Sequence, residues 1–114
     1  MIAVIFEVCP ADGRKDEYLD IAAGLKPIVE DHPGFISVER FQSLTNPEKL
    51  LSLSFFEDEE ALDAWRKIAE HRLAQTKGRN GVFSDYRLRI AHVMRNYGMT
   101  DRAEAPDDSK AQHG

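Results

Sequence analysis

Hydrophobic and polar positions along the chain alternate between a period of two and a period near 3.6, and this outlines six elements. Residues 2–9, Ile-Ala-Val-Ile-Phe-Glu-Val-Cys, are rich in β-branched residues and stop before Pro10, so they read as a first strand. Ile2, Val4, Phe6 and Val8 fall on one face; Ala3, Ile5, Glu7 and Cys9 fall on the other. Both faces are mostly apolar, so both are expected to be covered. Residues 13–31 predict a helix with Asp12 as N-cap and an apolar stripe of Tyr18, Ile21, Ala22, Leu25 and Val29. Pro27 is expected to kink that helix or end its regular part, and Asp31-His32-Pro33-Gly34 to stop it, with His32 a surface turn residue.

Residues 35–43 and 49–56 predict two strands of a hairpin joined at Thr45-Asn-Pro-Glu48. In the second of them Leu51, Leu53 and Phe55 face one way, while Ser52 and Ser54 face the other. A serine-bearing face reads equally as a cavity wall or as a solvated sheet face. Residues 58–78 predict a second helix. Acidic residues crowd its start, Arg72 and Lys77 lie toward its end, and Gly78 is its expected C-cap. Its stripe is Ala61, Leu62, Trp65, Ile68, Ala69 and Leu73. Residues 84–97 predict a long fourth strand, with Tyr86, Leu88, Ile90, His92 and Met94 on one face and Arg87, Arg89, Ala91, Val93 and Arg95 on the other. The segment 99–114 is polar, has almost nothing to bury, and is expected to be a flexible C-terminal tail.

The order β-α-β-β-α-β predicts an α+β, ferredoxin-like domain over residues 1–98, an antiparallel sheet with helices on one face. The other sheet face is then open. Apolar residues on both faces of strands one and four predict that a second copy covers it, giving a dimeric α+β barrel with twofold symmetry.

Composition narrows the function classes. The chain has 114 residues and a net charge of −5, which suits one domain and argues against a nucleic-acid partner. The charge is uneven: residues 1–65 carry 5 Lys/Arg against 14 Asp/Glu, and residues 66–95 carry 8 against 2. The basic stretch reads as solvated faces or as an attractor for an anionic ligand. No apolar run is long enough to span a membrane, and the N-terminus lacks the pattern of a signal peptide. One cysteine, Cys9, fits a reducing compartment, so a cytoplasmic location is expected. The histidines at 32, 71, 92 and 113 have no metal-ligand spacing, and no Gly-rich phosphate loop or nucleophile elbow is present.

Candidate chemistry therefore rests on a few side chains. Trp65, the only Trp, is either a packed core aromatic or the wall of a pocket. His71 lies about 120° round the helix from Trp65, at the edge of the buried stripe, where an imidazole can act as acid or base. His92 alternates with apolar residues and is either a satisfied core histidine or a pocket base. Tyr86 and Arg87 are further polar candidates, and Arg87 and Arg89 can bind an anion or pair with an acidic partner surface.

The Phe55-Phe-Glu-Asp-Glu-Glu-Ala-Leu-Asp-Ala-Trp65 run, with His71, Gln75, Gly78-Arg79, Asp85-Tyr-Arg-Leu-Arg and Arg95-Asn-Tyr-Gly98, resembles the antibiotic biosynthesis monooxygenase family over residues 1–98. The resemblance implies a dimeric α+β barrel, and for some relatives oxidation of phenols to quinones by O₂ without a cofactor. It would make Trp65 and His71 the catalytic pair, with Tyr86, Arg87 and His92 as substrate-binding residues for a small aromatic or quinol-type ligand. Some quinone-forming relatives carry a Tyr where His71 stands and an Asn where Ala61 stands. The haem-degrading branch carries a His ten residues after its Trp, where this chain has Gln75. The expectation is thus an enzyme without a cofactor, with haem binding or degradation, or a non-catalytic ligand-binding dimer, as alternatives.

Overall fold

The computed structural model orders the chain as β1 (Ile2–Pro10), α1 (Lys15–Glu30), β2 (Phe35–Gln42), β3 (Leu50–Phe56), α2 (Glu59–Ala74), β4 (Phe83–His92) and α3 (Asp107–His113). It describes the backbone of residues 1–74 and 81–114, and the side chains of residues 1–70 and 81–114. One four-stranded antiparallel sheet has the order β2-β3-β1-β4. With α1 and α2 against one face, this is the expected ferredoxin-like arrangement. No described helix is long and apolar enough to cross a membrane.

The core between sheet and helices is split. At one end Ile2, Val29, Phe56 and Leu62 form a buried cluster; at the other, Val8, Tyr18, Leu50 and Val82 form a second. Ile2 and Val8 stand near the two ends of the inner face of β1, and their partners across the ladder, Phe56 and Leu50, stand at the two ends of β3. The residues between them are Val4 and Phe6 on β1, paired with Ser54 and Ser52 on β3. Serine is too small to fill the space that Leu50 and Phe56 fill at the ends, so the middle of this layer remains hollow.

Several boundaries differ from the pattern in the sequence, each for a physical reason. β4 ends at His92 and not at residue 97. It is an edge strand whose only neighbour is β1, and β1 begins at Ile2 opposite His92. One further bond, from the Val93 amide to the Met1 carbonyl at 3.0 Å, follows the ladder. α1 begins at Lys15, its N-cap position is Arg14, and Asp12 does not cap it. Arg14 instead forks onto Glu17 through Nε and Nη2, both at 2.7 Å. The helix runs through Pro27 to Glu30. Proline removes only its own amide bond, and buried Ala22 and Val29 hold the helix on both sides of it. α2 does begin as its acidic start suggests: Asp58 Oδ1 accepts from the Ala61 amide at 2.8 Å, an N-cap bond. The proposed C-cap Gly78 lies outside the described residues.

The segment after residue 98, expected to be a flexible tail, carries the short helix α3. Arg102 ties it together: its Nε donates to the Gly114 carbonyl at 2.7 Å, its Nη1 to the Gly98 carbonyl at 3.1 Å and its Nη2 to Ser109 Oγ at 2.6 Å. The same guanidinium stands 5.3 Å from the centre of the Tyr97 ring. A polar segment can fold locally when one side chain satisfies several otherwise free carbonyls.

The outer sheet face carries no helix. Ala3 pairs with Phe55, Ile5 with Leu53 and Phe41 with Leu51, which makes an apolar centre. Glu7 borders it, bonded to Arg89 at 2.6 Å and to Lys49 at 3.3 Å. The Arg89 hydrogen bond, with Lys49 beside it, holds the Glu7 carboxyl below its ordinary value.

The turn before β2 fixes how the helices approach the sheet. Gly34 has φ +84, and a Cβ there would sit 2.5 Å from the Ala61 Cβ on α2. Gly34→Ala is therefore expected to lower unfolding free energy by roughly 2–4 kcal/mol, measured by urea titration. Gly24→Ala, inside α1 with no atom within 4 Å of the added Cβ, is expected to raise it by about 0.5–1 kcal/mol. Because Glu7 is depressed in the folded state, its contribution is present above the ordinary carboxylate range and is lost as pH falls through the folded value. Glu7→Gln is expected to lower the melting temperature at neutral pH, and the gap between variant and parent to close in acid, as followed by calorimetry across pH.

Candidate functional site

The hollow between the two core clusters is a cavity of about 370 Å³. That volume lies in the range of small-molecule sites. Its floor is made of two cross-strand rows: Arg40, Ser52, Phe6 and Leu88, then Val38, Ser54, Val4 and Ile90. Its roof is Tyr18, Ile21 and Leu25 from α1 with Leu62, Trp65 and Ala69 from α2. Helix spacing puts these residues on the inward stripes. The serine face of β3 thus lines a cavity and is not a solvated surface. The mouth lies along β4, an edge strand that the helices leave half uncovered: Leu88 is 49% exposed and Ile90 54%.

Trp65 is a wall of this cavity and also packs on the cluster of Ile2, Val29, Phe56 and Leu62. Its neighbour is His32, whose ring centre is 5.8 Å from that of Trp65. His32 is half-buried and not a surface turn residue. Its Nε2 donates to the Ala61 carbonyl at 3.0 Å, so the turn and α2 are clasped beside the Trp65 ring. Nothing in the sequence spacing of positions 32 and 65 signals this contact.

The other candidate residues separate. Tyr86 is on the cavity side of β4, against Phe6 at 5.7 Å between ring centres and Phe83 at 6.1 Å. It is 59% exposed and stands outside the cavity lining, beside its mouth. Arg87 is on the opposite face of β4, in register with Glu7, and does not reach the cavity. His92 stands at the end of β4, where its Nε2 meets Glu59 Oε1 of α2 at 2.9 Å. This pair borders a smaller recess of about 290 Å³ that shares Leu62, Asp63 and Ile90 with the main cavity. His71 lies in the last turns of α2, and its side chain is outside the described residues.

The sequence reading missed Arg40. Its Nε is buried and has no hydrogen-bond partner. The signal was present in the alternation of Val38 and Arg40 on one face of β2. A register shift between Phe35 and Ser37 breaks the simple alternation there, so the face that meets the helices could not be assigned by parity alone. Two further carboxyl and guanidinium shifts, Glu17 lowered and Arg14 raised by their mutual hydrogen bond, lie away from the cavity.

Among the described residues no cluster of His, Cys, Asp and Glu could hold a metal ion. Haem needs an axial donor, and the described cavity lining contains no His, Cys or Met; Tyr18 is its one phenol. Tyr18 is buried among apolar side chains, edge-on to Phe83 at 5.7 Å. The described lining therefore does not fit a haem site.

Comparison with known proteins agrees with this geometry. The model of the family described as Antibiotic biosynthesis monooxygenase matches residues 1–77. The chain is 48% identical over 93 residues to Jasmonate monooxygenase ABM of Pyricularia oryzae, covering 82% of this chain and 43% of that protein. It thus spans less than half the length of that relative. Rv0793 of Mycobacterium tuberculosis shares the fold with a TM-score of 0.72 at 14% identity, covering 85% of this chain and 98% of that one. A MhuD variant, solved with two manganese protoporphyrin IX molecules per active site, shares it with a TM-score of 0.70 at 20% identity, covering 86% and 99%. With the family pattern spanning β1 to α2, and with the cavity lying beneath the Trp-bearing helix, the chain belongs to the antibiotic biosynthesis monooxygenase family.

Proposed function

We propose that this chain is a cytoplasmic monooxygenase domain. It oxidises a small aromatic or quinol-type molecule with O₂ and uses no bound cofactor. The observation that carries the proposal is the apolar cavity with Trp65 as its wall, in a chain of this family. An apolar slot of this kind presents a flat ring to a flat substrate. The chemistry suits such a substrate because the substrate itself supplies the electrons. A ring CH₂ activated by a neighbouring phenolate loses both hydrogens and four electrons to O₂. One oxygen atom becomes the new carbonyl and the other leaves as water. The protein then needs a base to create the phenolate, and His71, on the helix that carries Trp65, is the candidate.

A homodimer formed through the open sheet face belongs to the same proposal. Ile5, Leu53 and Phe55 would be covered by the same residues of a second copy, as a twofold interface requires.

Aerobic incubation with anthrones and hydroquinones, without added metal, flavin or reductant, is expected to consume O₂ in proportion to product. Trp65→Ala combined with His71→Ala is expected to lower the rate by about 10²-fold or more; turnover that survives the double change sinks the assignment. Jasmonate is the comparison substrate suggested by the fungal relative. O₂ uptake with jasmonate only in the presence of added reductant would end the cofactor-free reading. Light scattering is expected to give twice the 12.9 kDa chain mass for the parent protein, and the single-chain mass for Leu53→Glu.

A further inference from the structure

The polar end of the cavity has a chemistry that the monooxygenase reading does not use. Arg40 reaches it from β2, opposite Ser52 of β3 in the same cross-strand row. Its Nε is buried without a partner, and no carboxylate among the described residues forms an ion pair with it. Residues 71–80, His-Arg-Leu-Ala-Gln-Thr-Lys-Gly-Arg-Asn, contain no Asp or Glu. The described acidic residue on the lining, Asp63, is paired with Arg66 at 3.9 Å. Ser52 and Ser54 also line the cavity, with no side-chain hydrogen bond among the described residues.

A buried guanidinium nitrogen without a hydrogen-bond partner is costly. Here the hydroxyl groups of Ser52 and Ser54 line the same cavity from the neighbouring strand. The rest of the two floor rows is apolar, running through Phe6 and Val4 to Leu88 and Ile90 at the mouth. On the cavity floor polarity is thus concentrated at the β2–β3 end, while Lys26, Asp63 and Arg66 line the cavity from the helices. An occupant complementary to both parts has an apolar body and one terminal oxyanion. We propose that Arg40, with Ser52 and Ser54, is a carboxylate anchor, and that this cavity takes small amphipathic monocarboxylates with the carboxylate at β2–β3 and the apolar body toward β4. A planar carboxylate accepts two parallel hydrogen bonds from a guanidinium and further bonds from hydroxyls. The proposal rests on the cavity being the substrate site, but it is read by binding and not by turnover.

The test uses 4-phenylbutyrate and the neutral 4-phenylbutanol as probes, titrated calorimetrically into the full chain. The parent is expected to bind the carboxylate at least about tenfold more tightly than the alcohol, since a charge-assisted hydrogen bond is stronger than a neutral one. Arg40→Leu is expected to abolish that preference while leaving the alcohol affinity within about twofold. Arg40→Lys, which keeps the charge but loses the fork, is expected to keep part of it. Lys67→Ala, removing an exposed cation outside the described cavity lining, is expected to leave it intact. Thermal melting of Arg40→Leu is expected at or above the parent temperature, because a buried nitrogen without a hydrogen-bond partner has been removed. Equal affinity of the parent for both probes, no binding of either, or an equal loss of both in Arg40→Leu overturns the anchor. Carboxylate preference without turnover of any substrate would instead leave the anchor standing and remove the monooxygenase reading.

Discussion

The structure depends on a core that is filled at its two ends and left open in its middle. Ile2 against Phe56, and Val8 against Leu50, close the two ends of the sheet–helix layer. Between them, Ser54 and Ser52 oppose Val4 and Phe6, and serine side chains cannot reach the helices. In a close-packed interior a missing side-chain volume is felt directly. Here the two clusters on either side keep α1 and α2 from collapsing into the gap. The domain therefore carries its cavity as a consequence of where it placed small residues along one strand.

Access follows from topology. β4 lies at the sheet edge beside β1, and the helices leave its inner face half exposed. Leu88 and Ile90 therefore serve both as floor and as threshold. The His92–Glu59 pair ties the end of this edge strand to the start of α2 beside that opening. On the far side of the cavity, the His32–Ala61 bond and the close approach of Gly34 to Ala61 set the position of the helix that carries Trp65. The helix that carries Trp65 is thus located by contacts at its N-terminal half, where backbone and small side chains meet.

Among the described residues the cavity combines an apolar slot with Arg40, whose buried Nε has no hydrogen-bond partner. Hydrophobic burial of a ligand body is nondirectional and supplies affinity, whereas a fork of donors at one end sets orientation. An oxidation that depends on presenting one carbon to O₂ requires that orientation more than it requires tight binding. Arg87 and Arg89, on the opposite face of the sheet, belong to a different electrostatic environment, built around Glu7 and Lys49.

The six principal elements and most of the inward stripes of the helices were legible in the chain, because each rests on local periodicity. Ile68, placed on the stripe of α2, is 39% exposed, and periodicity left Trp65 open between packed core and cavity wall. By itself the sequence determined the ferredoxin-like order, the amphipathic faces and the presence of small polar residues on one side of β3. Tertiary structure alone decided which end of each element mattered. β4 stops at His92 because its neighbour β1 begins opposite it. Arg40 enters the cavity because a register shift sets the face of β2. His32 meets Trp65 because a left-handed glycine brings the turn onto α2. Each of these is a pairing between residues far apart in the chain, and periodicity within a segment carries no information about the partner that another segment supplies.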